Sequence, residues 1–451
     1  MADYFRRTFG EGEASYLATR RFLFSIAEIT KDSDIFGAAV QAERCKFTTR
    51  APDSRNVDAG IFAEPSVEQL RALVIAQRVR CADTAAAQLK SYKATFGAVG
   101  VDGVGATTIC NVVGEARHQH LLAPGTVIQA ASQFNYLEFP SERTTPEAGI
   151  TNYMYDRTQG PACAIACAAG TAFRNYLAFV MKPGDPMPLG TDLLQEDLRG
   201  QLHNRQFDGL ADVTAAIQAR GGASVPPYYA VVNGYVDSST DRLVSLNALF
   251  TSIKHEEKGS HPPAASPALD TLTDHGEPPP AATSAEDASV PSPHEGGGVP
   301  PRPTTSFREM LISKLKIGVQ WDTQVTDSPD ALHPVHVTQT YNSAISIGYS
   351  RAMGWDELAR IVLDASYEAT LLVAALKVLR SIASSGRSVD GPCVYLTQGG
   401  GGVFGNDHEW ILAAIRRGCT AVENLAGIPL RVAVLHYGAV HPLYERLSTS
   451  R

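Results

Sequence analysis

The sequence predicts a layered α/β protein built around a mainly parallel sheet. Three observations carry this. Short β-rich runs alternate with helical stretches along much of the chain, the pattern that builds parallel sheets. The run WDELARIVLDASYEATLLVAALKVLRS (355–381) is apolar almost all round, so it reads as a long buried helix. Residues 393–438 read as strand, glycine loop, helix and strand, one complete unit of such a sheet.

Length and composition bound the rest. At 451 residues and 44% hydrophobic content the chain buries a large core, as two or three domains or as one large domain with insertions. We expect an N-terminal extension over 1–60 and an α/β domain over 61–451. A disordered insertion is expected at about 256–305. No Phe, Trp or Tyr occurs from Thr251 to Ser306, and 11 of the 27 prolines fall between His261 and Pro303, too little apolar surface to offset ordering. A net charge of −8 argues against general nucleic-acid binding, while leaving room for one basic pocket. Seven cysteines in no paired framework suggest reduced thiols and a cytoplasmic location. No 18-residue apolar run predicts a membrane span, and the first 26 residues lack the apolar stretch of a secretion signal.

In chain order, TTICNVVGEARHQHLLAPGTVIQAASQFNYLEF (107–139) reads as strand, Gly-acid turn, short connection, strand and polar loop. DRTQGPACAIACAAGTAFRNYLAF (156–179) opens a helix, with Pro161 suited to its first position and Gly160 permitting close backbone approach. YYAVVNGYV (228–236), KLKIGVQW (314–321) and HVTQTYNSAISIGYS (336–350) read as further strands. CVYLT (393–397) then leads into QGGGGVFGNDHEWILAAIRRGC (398–419). Asn406 suits the N-cap there and Glu409 completes a capping box. Ile411, Ala414, Ile415 and Gly418 form one apolar stripe, with Arg416 and Arg417 expected in the last turn.

So much glycine at a helix mouth suggests an anion, because backbone N–H groups can then approach a ligand with no Cβ between. A Walker loop fails, since Gly405 is followed by Asn406 and Asp407. Gly400, Gly402 and Gly405 satisfy the dinucleotide fingerprint, but that motif belongs to a first βαβ unit with an acid closing the next strand, and here that strand ends at His436–Tyr437. A glycine-rich turn without a ligand stays open. Two glycine-opened helix N-termini would suit the two anionic groups of a diphosphate.

Taken in order, Gly114-Glu115, VIQAAS (127–132), GPACAIACAAG (160–170) and GGGVFG (400–405) resemble the motifs of the macrodomain family, the ADP-ribose-binding α/β/α module, as a divergent member. The resemblance spans roughly residues 105–440, and its last motif is the most specific. It implies a three-layer α/β/α fold with a mixed, mostly parallel sheet, and a diphosphate loop at Gly400, Gly401, Gly402, Val403 and Phe404, followed by the ligand-binding Gly405 and Asn406, with Phe404 beside a ribose or phosphate. It makes Glu115 the partner of adenine N6, and puts Ser132, Gln133, Gln159 and Gly160 along the remaining wall. Departures bear on mechanism. Gln129 and Ser132 stand where the family has two asparagines, and Ala162 stands where hydrolytic members often carry an Asp. Replacements for that acid come from 132–159: Asp156 or Glu138 to activate water, with Asn135 orienting the ribose. The bland alternative has Asp156 and Arg157 bracing the loop on the next helix.

Other constellations are weaker. His118 and His120 are read as sharing one strand face, without a third ligand nearby, so no metal is expected, nor any cofactor. Cys163 and Cys167 lack zinc or redox spacing, and His436 and His441 follow the last strand. Two functions remain. One is a binder of ADP-ribose or a related nucleotide that also hydrolyses ADP-ribosyl linkages if it is an enzyme. The other is a non-catalytic macrodomain-like scaffold in a larger protein assembly.

Overall fold

The computed structural model describes residues 3–51, 56–96, 106–122, 124–181, 195–222, 225–259, 305–328, 333–385 and 391–447. Its strands are β1 (Ala27–Lys31), β2 (Ala42–Thr48), β3 (Asn56–Ala63), β4 (Thr108–Val113), β5 (Val127–Ala131), β6 (Ala230–Val232), β7 (Tyr235–Asp237), β8 (Gly318–Gln324), β9 (His336–Asn342), β10 (Val394–Leu396) and β11 (Arg431–His436). Nine of them form one sheet in the order β1-β2-β3-β8-β9-β5-β10-β11-β4. From β9 to β4 every neighbouring pair is parallel. From β1 to β9 every pair is antiparallel. The sheet is therefore mixed, with a parallel half and an antiparallel wing.

The helices are α1 (Tyr4–Phe9), α2 (Tyr16–Ile26), α3 (Val67–Thr84), α4 (Ala86–Ala94), α5 (Ala116–Leu122), α6 (Gln159–Ala166), α7 (Ala168–Ala172), α8 (Ala211–Gly221), α9 (Thr240–Gly259), α10 (Phe307–Lys314), α11 (Asp356–Ser385), α12 (His408–Ala426) and α13 (Pro442–Glu445). Strand alternation sorts the apolar side chains into two cores. Val394, Leu396, Val432 and Val434 pack with α3, α11 and α12 on one face. Tyr395, Ala433, Leu435, Ile128 and Ala130 pack with α1, α6 and α7 on the other. The inner parallel strands β10 and β11 are buried on both faces, which is why they read as near-continuous apolar runs. On the first face Arg71 and Arg417 bridge Glu309 and Glu368. This closed ring of charges fastens α3, α10, α11 and α12 together. Among the described residues no helix is long and apolar enough to cross a membrane.

Several expectations change on contact with the fold. Residues 1–60, read as an extension, contribute β1, β2 and most of β3 to the same sheet. Segment 228–236 is not one strand of the main sheet: it holds β6 and the start of β7, which pair as a separate two-stranded hairpin turning at Asn233 (φ 48°) and Gly234 (φ 79°). Asn-Gly supplies the two left-handed positions such a tight turn needs. The HQH segment lies on helix α5, so His118 and His120 do not share a face. The N-cap of α12 is Asp407, whose side chain accepts the Glu409 N–H (2.7 Å), while the Asn406 amide is drawn away to Ile345 O (2.8 Å). Because α12 runs on to Ala426, Arg416 and Arg417 are mid-helix rather than in a last turn. Pro161 is the third residue of α6, not the first. Of the expected insertion, residues 256–259 end α9, and 260–304 lie outside the described residues.

Candidate functional site

The site is set by where the chain turns. β5 and β10 are parallel neighbours, with Val127 opposite Val394. The chain leaves β5 into α6 on one face of the sheet and leaves β10 into α12 on the other. Adjacent strands departing in opposite directions open a crevice at their carboxyl ends, where open α/β sheets bind ligands.

The glycine loop forms one wall. Tyr367, fully buried on α11, accepts the Gly399 N–H (2.9 Å) and donates to Thr397 O (2.8 Å). Gln129 of β5 accepts the Thr397 N–H (3.0 Å). Within the loop Gly401 N–H bonds Gln398 O, Gly405 N–H bonds Gly402 O, and Asn406 N–H bonds Gly400 O. Gly400 (φ 80°) and Gly405 (φ 70°) hold left-handed turns that L side chains avoid. The N–H groups of Gly400, Gly402, Val403 and Phe404 have no protein acceptor among the described residues. Gly402 and Val403 are exposed. The first turn of α12 already carries the carboxylates of Asp407 and Glu409. An anion here therefore has the loop amides as partners rather than the helix terminus.

The facing wall is segment 132–139, buried throughout. Ser132 N–H bonds Asn342 O and its hydroxyl bonds Gln133 O (3.2 Å). The Gln133 side chain closes the loop on itself, donating to Phe139 O (3.0 Å) and accepting Phe139 N–H (3.1 Å). Asn135 donates to Gln206 (2.8 Å) and accepts Leu137 N–H (3.1 Å). Glu138 lies deeper, 3.3 Å from Arg174, and both side chains are almost wholly shielded from water. Burial pushes the Glu138 carboxyl up to about 7 against the pull of Arg174 and the Tyr153 hydroxyl. Gln159 acts as a substitute strand. It accepts Ala131 N–H (2.7 Å) and donates to Gln129 O (2.8 Å), rungs that short β10 leaves unpaired. Gly160 is required by packing, since a Cβ there would overlap Ala131 O.

Asp156 is half-buried just before α6, with one carboxylate oxygen accepting the Thr158 N–H (2.8 Å). It lies within electrostatic reach of the Tyr235 hydroxyl, as does Glu142. The structure thus gathers Ser132, Gln159, Asp156 and the glycine loop about one edge. Glu115 is exposed after β4, two strands removed from β10.

Residues that sequence reasoning missed complete the edge. Tyr235, Tyr349 and Phe404 form a ring cluster with centroids 5.5–5.7 Å apart, joining the hairpin, the loop after β9 and the glycine loop. The Asn-Gly pair was the available signal, because its turn carries Tyr235 there. His436 sits between Gln398 (2.7 Å) and Asn111 (2.8 Å), steadying the loop's first residue. His408 stacks on His441 at 4.5 Å, and both meet the Tyr444 ring. Burial, then the neighbouring His441, holds His408 and His436 below the usual imidazole range.

No group of three or more metal-ligating side chains occurs among the described residues. Cys163 and Cys167 are buried thiols raised by that burial. His120 is fully buried, with one ring nitrogen donating to Ala116 O (2.6 Å) and the other facing the Gln339 amide (2.8 Å). Burial lowers it to about 4 despite the Ala116 bond. In the unfolded chain an imidazole titrates near 6.5, so between about 6.5 and 4 the unfolded state binds the extra proton and stability falls with falling pH. We expect His120→Asn to flatten this stretch of the denaturation-midpoint profile. An unchanged slope in that variant contradicts the assignment.

Fold and site together define an α/β protein with a glycine-loop crevice at a switch point of its sheet. Comparison of the chain with protein-family models, curated proteins and solved structures gave no match.

Proposed function

We propose that the chain binds ADP-ribose or a closely related nucleoside diphosphate in this crevice, as a divergent macrodomain-like protein. The supporting observation is the set of four loop amides at the carboxyl end of β10, Gly400, Gly402, Val403 and Phe404, without protein acceptors among the described residues. Such a cluster of donors suits phosphate oxygens. The aromatic cluster at Phe404 offers an apolar surface for the ribose or base. The cavity between β5, β9, β10 and α11 is about 10 Å³, room for about one water. The loops above it are clasped by Gly348 N–H to Phe404 O (2.9 Å) and Asn406 to Ile345 O (2.8 Å). Binding in this reading parts the 343–350 and 399–405 segments, or seats the diphosphate on their outer side.

Gly402→Glu tests the reading cleanly. A Cβ at Gly402 meets nothing within 4 Å, so the fold should tolerate the change. The carboxylate adds negative charge where phosphate should sit. Calorimetry should show ADP-ribose affinity falling by at least about tenfold, roughly 1.4 kcal/mol, at an unchanged melting temperature. Unaltered affinity places the diphosphate elsewhere.

Hydrolysis of ADP-ribosyl linkages is a second reading, favoured by one observation. Of the proposed catalytic side chains Asp156, Asn135 and Glu138, Asp156 alone retains exposure to solvent.

A further inference from the structure

The opposite, amino-terminal end of the same strands carries a second cavity, of about 430 Å³. Pro124 and Gly125 before β5, Cys393 before β10, Trp321 and Asp322 of β8, Ile35, and the last turns of α11 line it. Its volume is in the range of small-molecule sites.

Its construction is specific. In a regular strand Trp321 and Asp322 would point to opposite faces, yet both line this cavity. A bulge between Gln320 and Thr323 re-aims them, with Asp322 held at φ 52°. A non-glycine residue there is uncommon, and such bulges cluster beside functional sites. The opposite strand accommodates the bulge only because residue 60 is glycine, where a Cβ would overlap Trp321 O. What the bulge achieves is a charged wall. Asp322 pairs with Lys377 of α11, whose amine also bonds Thr338 (3.0 Å) and lies 4.6 Å above the Trp321 ring. One turn further, Arg380 donates one hydrogen bond among the described residues, to Asp34 O (3.0 Å). Its other guanidinium donors have no protein partner among the described residues. Ile35, Pro124, Ala374 and Val378 supply apolar lining, and Lys377 and Arg380 against Asp322 leave an excess of positive charge.

We propose that this cavity is a second ligand site, for a small organic anion (a carboxylate or phosphomonoester) with an apolar body. The anionic group pairs with Arg380 beside Lys377, and the body lies along Ala374 and Val378. The site stands independently of the glycine-loop reading.

Calorimetry with phenyl phosphate, benzoate and inorganic phosphate tests it. Phenyl phosphate or benzoate should bind the full chain at least about tenfold more tightly than inorganic phosphate, and Arg380→Gln should remove about tenfold or more of that affinity. Gly402→Glu should leave this binding unchanged. Ser384→Trp, a rim substitution at an exposed residue, should also block it and covers the case in which Arg380→Gln does not fold. Absence of binding by both aromatic anions overturns the proposal, as does full affinity in Arg380→Gln or in Ser384→Trp. Loss of binding in Gly402→Glu would assign the anion to the glycine loop and overturn it equally.

Discussion

Asp156→Asn is expected to slow release of ADP-ribose from a modified protein by roughly 10²–10⁴-fold while ADP-ribose itself still binds. The expectation belongs to the hydrolytic reading and follows from what the substitution keeps and removes. Asp156 already uses one oxygen to accept the Thr158 N–H, and asparagine preserves that turn and the start of α6. What disappears is a carboxylate able to take a proton from water at the crevice edge. Glu138 cannot readily substitute, because it is buried against Arg174 behind α6. Wild-type activity that persists in the mutant removes Asp156 as the base. A wild type that binds ADP-ribose without turnover is a reader.

The second large effect concerns stability. Arg174 is wholly buried where segment 132–139 meets the helical run after α6. It donates to Tyr136 O (3.1 Å), Glu138 (3.3 Å) and Thr171 (3.3 Å), and stacks over the Tyr341 ring at 3.5 Å. Arg174→Met leaves Glu138 and the Tyr136 carbonyl without these partners, so unfolding free energy should drop by about 3–5 kcal/mol. Combining it with Glu138→Gln removes the stranded carboxyl, and the double variant should recover part of the loss. A single-variant cost below about 1 kcal/mol would mean that the pair does not secure the loop.

Where burial follows local periodicity, the sequence was legible. The α12 stripe of Ile411, Ala414, Ile415 and Gly418 is buried as its spacing required. The apolar runs at 393–397 and 430–438 became β10 and β11. Where tertiary partners decide, it was not. Asn406 and Asp407 are equally good caps in isolation, and only Ile345, some sixty residues away, settles which one serves. Gln133, Asn135 and Glu138 read as free polar groups in a loop. Their partners Tyr235, Gln206 and Arg174 lie far along the chain, and these contacts turn candidate ligand groups into a buried scaffold. Strands β1 and β2 escaped notice because charged residues interrupt them, as the sheet edge permits in β1 and as the buried Glu43–Arg199 pair permits in β2. The Trp321–Asp322 bulge has no sequence signal, since its glycine partner lies 261 residues earlier at Gly60.

The most direct test of the central claim is a crystal structure of the chain with ADP-ribose. The account predicts the diphosphate within hydrogen-bond distance of the Gly400, Gly402, Val403 and Phe404 amides, at the carboxyl ends of β5 and β10. A bound nucleotide whose phosphates contact none of these amides, or crystals that admit no nucleotide at saturating concentration, would contradict it.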